Sequence, residues 1–450
     1  MLQPFVTPAL AGPSLSPSES IEAVRQFIES NWHETVRNEV KDDGTLLGLP
    51  YPYTIPSRKK FFQEFYYWDT YFTCLGLLDT GHGDLALNNA RNLQSQMERY
   101  GFIPNGNRTF YLTRSQPPYF APLVWQISST LGDDDFARNA VPAIRREYDF
   151  WTTQRMTPTG LSRHGHHADR QGLLDFFSEI EFRGGLHGRR PEDCLEEISQ
   201  LMSECETGWD LNHRFAHRCG DYCPVDLNST LGIYERFLAR FAPENESALW
   251  SERAETRIRL LNEFCWDGER GGYFDYDYRQ GQSGKIVSAA TLQPLWAGLA
   301  TPEQARLVVE KMLPHLECAF GLASCAPGPR DRVCQWDYPN GWPCLQNLAY
   351  RGLASYGYAE EARRIAEKYV RIICRTFETT GDLWEKYNVV DGSVNVANEN
   401  GYEESASRQL SDSPVDPAHI APPAMMGWTA GVFLDAVAFL EGRAAPLAHR

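Results

Sequence analysis

The 450-residue chain is poor in most of what marks nucleic-acid-binding, membrane-spanning or disulfide-stapled proteins. Its 43 Lys and Arg are outnumbered by 59 Asp and Glu, a formal net charge of −16. Nucleic acid and anionic membrane surfaces are bound by clustered Lys and Arg, so this balance argues against both as partners and for a small neutral ligand. Long apolar runs are missing too. The most apolar stretch, 420–440, holds two prolines, two glycines and Asp435, which disfavours a membrane span. The eleven cysteines are an odd number without framework spacing, and they suit a reducing cytoplasm better than a secreted, cross-linked protein. Sequons at Asn107 and Asn228 fall inside motifs that a glycan would obstruct. No Gly/Ser linker, low-complexity block or charge run divides the chain. It reads as one domain over 16–442, with a flexible lead-in at 1–15 and a short tail at 443–450. The lead-in is broken by prolines and has no basic segment, unlike a secretory signal.

Convincing alternating strands are scarce, and what fills the chain is helical periodicity. Ile21, Val24, Phe27 and Ile28 form one apolar stripe, and Leu231, Tyr234, Phe237 and Phe241 another. Leu249, Ala254, Ile258, Leu261 and Phe264 form a third. Ala305, Val308 and Met312 follow a Thr301-Pro302 start, and Ala362, Ile365, Tyr369 and Ile372 make a fifth. About a dozen such segments predict an all-α fold, a double ring of helices whose long Gly-, Pro- and aromatic-rich loops gather at one end as a cleft.

Aromatic residues make up 12% of the chain, enough to line a cleft as well as fill a core. Trp is followed by Asp at Trp68-Asp69, Trp209-Asp210, Trp266-Asp267 and Trp336-Asp337. An indole covers the C–H face of a pyranose while a carboxylate accepts from its hydroxyls, so the pairing points to carbohydrate. A plainer reading of Trp266-Asp267 is a buried indole beside a helix N-cap.

The motifs become specific in their order. FYYWDTYF at 65–72 leads to IPNGNR at 103–108 and RSQPP at 114–118. RPE at 190–192, ETGWD at 206–210 and PVDLN at 224–228 follow, and then QWDYPNGW at 335–342 and EKY at 385–387. In this set and order the chain resembles the trehalases of glycoside hydrolase family 37. The resemblance implies an (α/α)6 barrel and hydrolysis of α,α-trehalose to two glucoses with inversion, without metal or cofactor. Inversion requires two carboxyls on opposite sides of the scissile bond, roughly 6.5–9.5 Å apart so that water fits before the anomeric carbon. By the same resemblance Asp210 is the general acid and Glu385 the general base. Trp68, Asp69, Asn105, Arg114, Ser115, Gln116, Arg190, Glu192 and Gly208 are substrate contacts, and Trp336 and Trp342 are candidate cleft walls. Asp226 and Asp337 are candidates for orienting other site groups or for tying loops to helix starts.

Departures from the family pattern fall around the leaving-group side. Phe61 stands where the family has an arginine, Leu195 replaces another, and the glycine-rich lid is altered over 398–426. The alternative is therefore an inverting hydrolase of another small α-glucoside or α-mannoside, such as kojibiose, nigerose, glucosylglycerate or mannosylglycerate. A noncatalytic sugar-binding protein would retain the cleft without turnover. His213, His217, Cys219 and Cys223 are a competing zinc constellation, although a helix end and a turn explain their spacing equally well. His164, His166 and His167 are expected at the surface or the cleft rim.

Overall fold

The computed structural model describes residues 16–58, 62–328, 334–394, 396, 425 and 427–449. The expected lead-in at 1–15, Phe61, and the altered lid at 398–426 apart from Met425 lie outside the described residues.

Helix α1 (Pro17–Asn31) starts as its sequence dictates. Ser16 accepts from the Glu19 amide while the Glu19 carboxylate reaches back to Ser16, and Pro17 takes the first helical position, where no amide donor is needed. There follow α2 (Tyr67–Asp79), α3 (Gly83–Tyr100), α4 (Phe120–Leu131) and α5 (Asp134–Thr153). Next come α6 (Arg170–Ile180), α7 (Leu195–Glu206), α8 (Val225–Phe241) and α9 (Ser247–Phe264). The second half holds α10 (Gln293–Trp296), α11 (Pro302–Leu307), α12 (Leu313–Leu316), α13 (Pro343–Ser355), α14 (Ala359–Thr380) and α15 (Gly427–Leu440). The stripe from Ala305 to Met312 is thus helical, but a wider π turn at Val308–Met312 joins α11 to α12.

Helices α2, α4, α8, α10, α13 and α15 each pack against the next, and α15 returns to α2, closing an inner ring. Around it lie α3, α5, α9, the α11–α12 stretch, α14 and α1. The inner members are apolar nearly all round: α15 buries every residue from Gly427 to Ala438. An outer helix such as α14 buries one stripe, from Ala362 through Ile365 and Tyr369 to Ile373. This is the expected (α/α)6 barrel. The tightest contact in the ring is between α2 and α15, where a Cβ on Gly431 would lie 2.0 Å from the Phe72 carbonyl oxygen, so only glycine lets the backbones approach.

Two features stand apart from the rings. Helices α6 and α7 form a hairpin with its own hydrophobic cluster, built from Phe176, Ile180, Leu186, Ile198, Leu201 and Met202. Trp266-Asp267 is not a helix cap: it pairs antiparallel with Gly272-Tyr273, and Asp267 accepts from the Glu269 and Arg270 amides of the hairpin turn. Among the described residues no helix is long and apolar enough to cross a membrane. Asn107 and Asn228 are fully buried and hydrogen-bonded, which leaves no room for a glycan.

Candidate active site

One cleft at the end of the barrel collects the motifs. Its floor is the start of α2: Trp68 and Asp69 sit in the first helical turn, where the Trp68 amide, lacking an intrahelical acceptor, donates to the Gln116 side chain at 3.1 Å. Asn105, Arg114 and Gln116 line the cleft beside them. The Arg114 guanidinium is held between the Tyr111 and Phe176 rings, 5.2 and 5.0 Å from their centroids.

Asp210 is presented by the turn that ends α7. Gly208 there has φ +70°, and a Cβ on it would lie 2.7 Å from the Trp68 indole, so the turn needs glycine for conformation and for space. The turn is pinned by Thr207 accepting from the Trp209 amide at 2.9 Å and by Asn212 donating to the Trp209 carbonyl at 2.7 Å. Beneath it, the buried Arg214 forks onto both Asp226 and Asp275 and lies over the Trp209 ring at 4.4 Å. Asp226 is thus tied to Arg214.

Glu385 comes from the opposite wall. Trp428 of α15 donates its indole N–H to the Glu385 carbonyl at 3.1 Å, and Thr429 donates to the Trp384 carbonyl at 2.6 Å. Tyr387-Asn388 pairs antiparallel with Asn340-Gly341, which joins the EKY and QWDYPNGW segments. A Cβ on Gly341 would meet Val389 at 2.2 Å, hence the glycine. Lys386, adjacent in sequence, turns toward the same wall and donates to Glu385 Oε2 at 3.0 Å and to the Gln335 side chain at 3.3 Å.

The carboxyls experience different surroundings. Burial pushes the Asp210 carboxyl above the usual carboxylate range; the Arg183 and Arg114 guanidiniums pull against this, Glu385 adds to it, and the net direction is upward. Asp69 is pushed up to about 7, chiefly by burial, with Glu385 and Asp210 adding to the effect. Glu179, also in the cleft, is raised by burial against the pull of Arg114 and Arg183.

Glu206, first residue of ETGWD, lies behind the cleft rather than in it. Its fully buried carboxylate takes two bonds from Arg155 at 2.7 and 2.9 Å, and one each from the Ser115 and Gly165 amides at 3.0 and 2.7 Å. Burial alone would raise its pKa, but Arg155 and His164 hold the carboxyl well below the usual range.

Several sequence expectations are corrected here. Arg190 and Glu192 do not line the cleft: they sit on an exposed turn before α7, where Arg190 faces Asp193 at 3.3 Å. Arg183 and Glu179 from the α6 end stand in the cleft instead, with Arg183 Nη2 3.6 Å from Asp210 Oδ2. Sequence reasoning missed this pair; its signal was their i, i+4 spacing before the Gly184-Gly185 turn. Ser115 supports rather than lines the cleft, its hydroxyl donating to the Ile103 carbonyl at 2.6 Å. His164 is buried 3.6 Å from Glu206 and His166 is half-buried, so neither is a surface residue, whereas His167 is exposed, as expected. Among the described residues no group of three or more His, Cys, Asp or Glu is placed to hold a metal, and His213 lies 3.3 Å from Asp337. Gly208, Trp336 and Trp342 line the cleft.

Comparison with known proteins places this site in context. The trehalase family profile matches residues 13–409. The cytosolic neutral trehalase of Saccharomyces cerevisiae is 34% identical over 406 residues, covering 79% of this chain and 53% of that protein. A periplasmic trehalase of Xanthomonas oryzae pv. oryzae is 32% identical over 451 residues, covering 95% of this chain and 75% of that one. The solved structure of neutral trehalase Nth1 from Saccharomyces cerevisiae superposes with a TM-score of 0.69 at 29% identity, covering 89% of this chain and 77% of that chain. The chain spans about half the length of the fungal relatives it matches. With the profile matching most of its length and relatives above 30% identity along most of it, this chain belongs to the trehalase family.

Proposed function

We propose that the chain hydrolyses α,α-trehalose to two glucoses with inversion, Asp210 acting as general acid and Glu385 as general base. The observation that supports this most is that both carboxyls, from distant loops, line one cleft. Asp210 is half-buried with its pKa displaced upward, as a proton donor requires, while Glu385 accepts from an ammonium. The relatives' names, cytosolic and periplasmic trehalases, support the substrate. Asp210 delivers its proton to the glycosidic oxygen as that bond breaks. Glu385 takes a proton from water attacking the anomeric carbon from the other face. Trp68 supplies apolar surface for the sugar, Trp336 and Trp342 present only ring edges to the cleft, and Asp69, Asn105, Arg114 and Gln116 supply hydrogen-bonding groups for its hydroxyls.

Groups beside the acid would face the leaving glucose, and we assign Arg183, 3.6 Å from Asp210, and Glu179 to that side. A reducing compartment fits the eleven cysteines, none of them in a disulfide, and we take the chain to be cytoplasmic. One catalytic unit over 16–442 fits a main hydrophobic cluster that runs from Val24 to Leu447.

The test is turnover of trehalose followed by NMR beside kojibiose, nigerose, maltose and glucosylglycerate, with one β-glucose and one α-glucose as the first products. Asp210→Asn and Glu385→Gln should each lower kcat by about 10²–10⁴-fold, the usual contribution of a positioned acid or base, with melting temperatures near the parent's. Near-parental turnover in either variant refutes the assignment.

A further inference from the structure

The two catalytic candidates are joined by a feature that the motifs do not announce. Trp209, whose next residue is Asp210, stacks on Trp336 with ring centroids 5.3 Å apart and planes within 19°. Trp336 stacks in turn on Trp342 at 3.8 Å and 2°. The ends of this column are closed by cations. Arg214 covers Trp209 at 4.4 Å, and Lys386 covers Trp342 at 4.8 Å while bonding Glu385 at 3.0 Å. Trp428 stands edge-on to both Trp336 and Trp342, at 84° to each, and prevents the stack from sliding into the cleft.

Each part has a physical reason. A cation over an indole face is attracted by the ring quadrupole, and more strongly where water is excluded. Arg214 and Lys386 are both nearly inaccessible to solvent, and the three indoles are buried to within a few per cent. Rings packed face to face resist compression along their normal, because interiors are close-packed. A carboxylate on a flexible side chain can swing; one whose ammonium partner is held against an immobile ring cannot do so freely.

We propose that this cation-capped tryptophan column is the spacer that sets the separation of Asp210 and Glu385, and that Lys386 and Trp209 are positioning residues acting through it. The inference rests on the acid and base assignment above. Inverting chemistry needs both groups engaged at once, with room for water at one of them, so an error of about 1 Å in their separation is felt in kcat rather than in ground-state binding.

The test is a double-mutant cycle on the full chain, with Lys386→Met at one end and Trp209→Phe at the other. The two positions are separated by two intervening rings, so independent substitutions should multiply in their effects. The column predicts otherwise: each single variant loses about 10–100-fold in kcat on trehalose, with KM changed less than about 3-fold, and the double variant loses at least about 5-fold less than the product. Lys386→Arg, which keeps a cation over Trp342, should recover most of kcat. Melting temperatures of the same four proteins read the physical coupling without reference to activity.

Multiplicative losses in kcat, or parental kcat in a folded Lys386→Met protein, overturn the spacer role even if the melting temperatures are coupled. Additive melting shifts overturn the column itself. A parent chain that shows no turnover of trehalose while its melting shifts remain coupled overturns the functional reading instead. Should Lys386→Met fail to fold, Lys386→Gln and Trp342→Phe close the cycle from the same end.

Discussion

Replacing Glu206 with Gln should unsettle the cleft without touching it. The carboxylate is fully buried, shares two bonds with Arg155, and accepts from the backbone on either side of the RSQPP loop and the histidine loop. Glutamine keeps the shape, but its amide nitrogen cannot accept, and it leaves the Arg155 guanidinium, 4% exposed, buried without its counter-ion. Breaking one side of a buried ion pair costs about 3–5 kcal/mol. At ~2.1 cal/mol/K per residue, unfolding 450 residues carries an entropy near 0.9 kcal/mol/K, so the melting temperature should fall by roughly 3–5 °C.

The sign with pH is set by the direction of the Glu206 shift. Its folded carboxyl titrates below the ordinary range. The stability it contributes is therefore complete above the unfolded value of about 4.3 and is lost as pH falls through the folded value. The gap between parent and variant should be full from pH 6 to 8 and narrow only in acid. Differential scanning fluorimetry across pH, with far-UV circular dichroism as a check on folding, measures it. A variant melting within about 1 °C of the parent at pH 7, or a gap that widens in acid, would refute the reasoning.

Other consequences can be measured alongside. Asp69, raised to about 7 by burial, binds a proton more tightly folded than unfolded, so its ionisation weakens the fold as pH climbs from about 4 to 7; Asp69→Asn should gain a few degrees in Tm over the parent across that interval, and a constant difference would contradict it. Arg183→Met should lower kcat/KM on trehalose by about 10–100-fold yet leave α-glucosyl fluoride, which has no sugar leaving group, within about 3-fold; equal losses on both substrates would assign Arg183 a structural role only. Gly208→Ala places a Cβ 2.7 Å from the Trp68 ring at φ +70°, and overpacking plus a left-handed backbone should cost about 2–4 kcal/mol together with most of the activity; a parental melt would show that the turn adapts.

Much of the barrel was legible in the chain because an amphipathic helix declares itself locally. The stripes of α1, α8 and α14 lie at three-or-four spacing, that of α9 holds from Ala254 on with Trp250 rather than the exposed Leu249 at its start, and the Thr301-Pro302 start is a capping box with Gln304. The cleft residues were legible through motif order, which reports chemistry rather than geometry. What stayed hidden is long-range. Arg155 meets Glu206 across 51 positions and Arg214 meets Asp275 across 61, and nothing near either residue encodes its partner. The RPE motif misled for a related reason: three residues in the family's order identify a sequence, but here the exposed turn before α7 points them outward, and the end of α6 supplies the cleft's charged pair. The direction of Lys386 is not encoded by its place next to Glu385; the strand pairing of Tyr387 with Gly341 settles it.

The α6–α7 hairpin fills most of its interior from its own side chains, with Leu211 and Cys334 closing it, while hanging Phe176, Glu179 and Arg183 into the cleft. Most substitutions in that interior leave the rings untouched, so the residues that shape this side of the cleft and those that hold the scaffold are largely separate sets. A hairpin of equal span from another family member could be grafted between Asp169 and Met202 as a cassette, exchanging the cleft's Glu179 and Arg183 while Glu204, Glu206 and the turn that presents Asp210 stay in place.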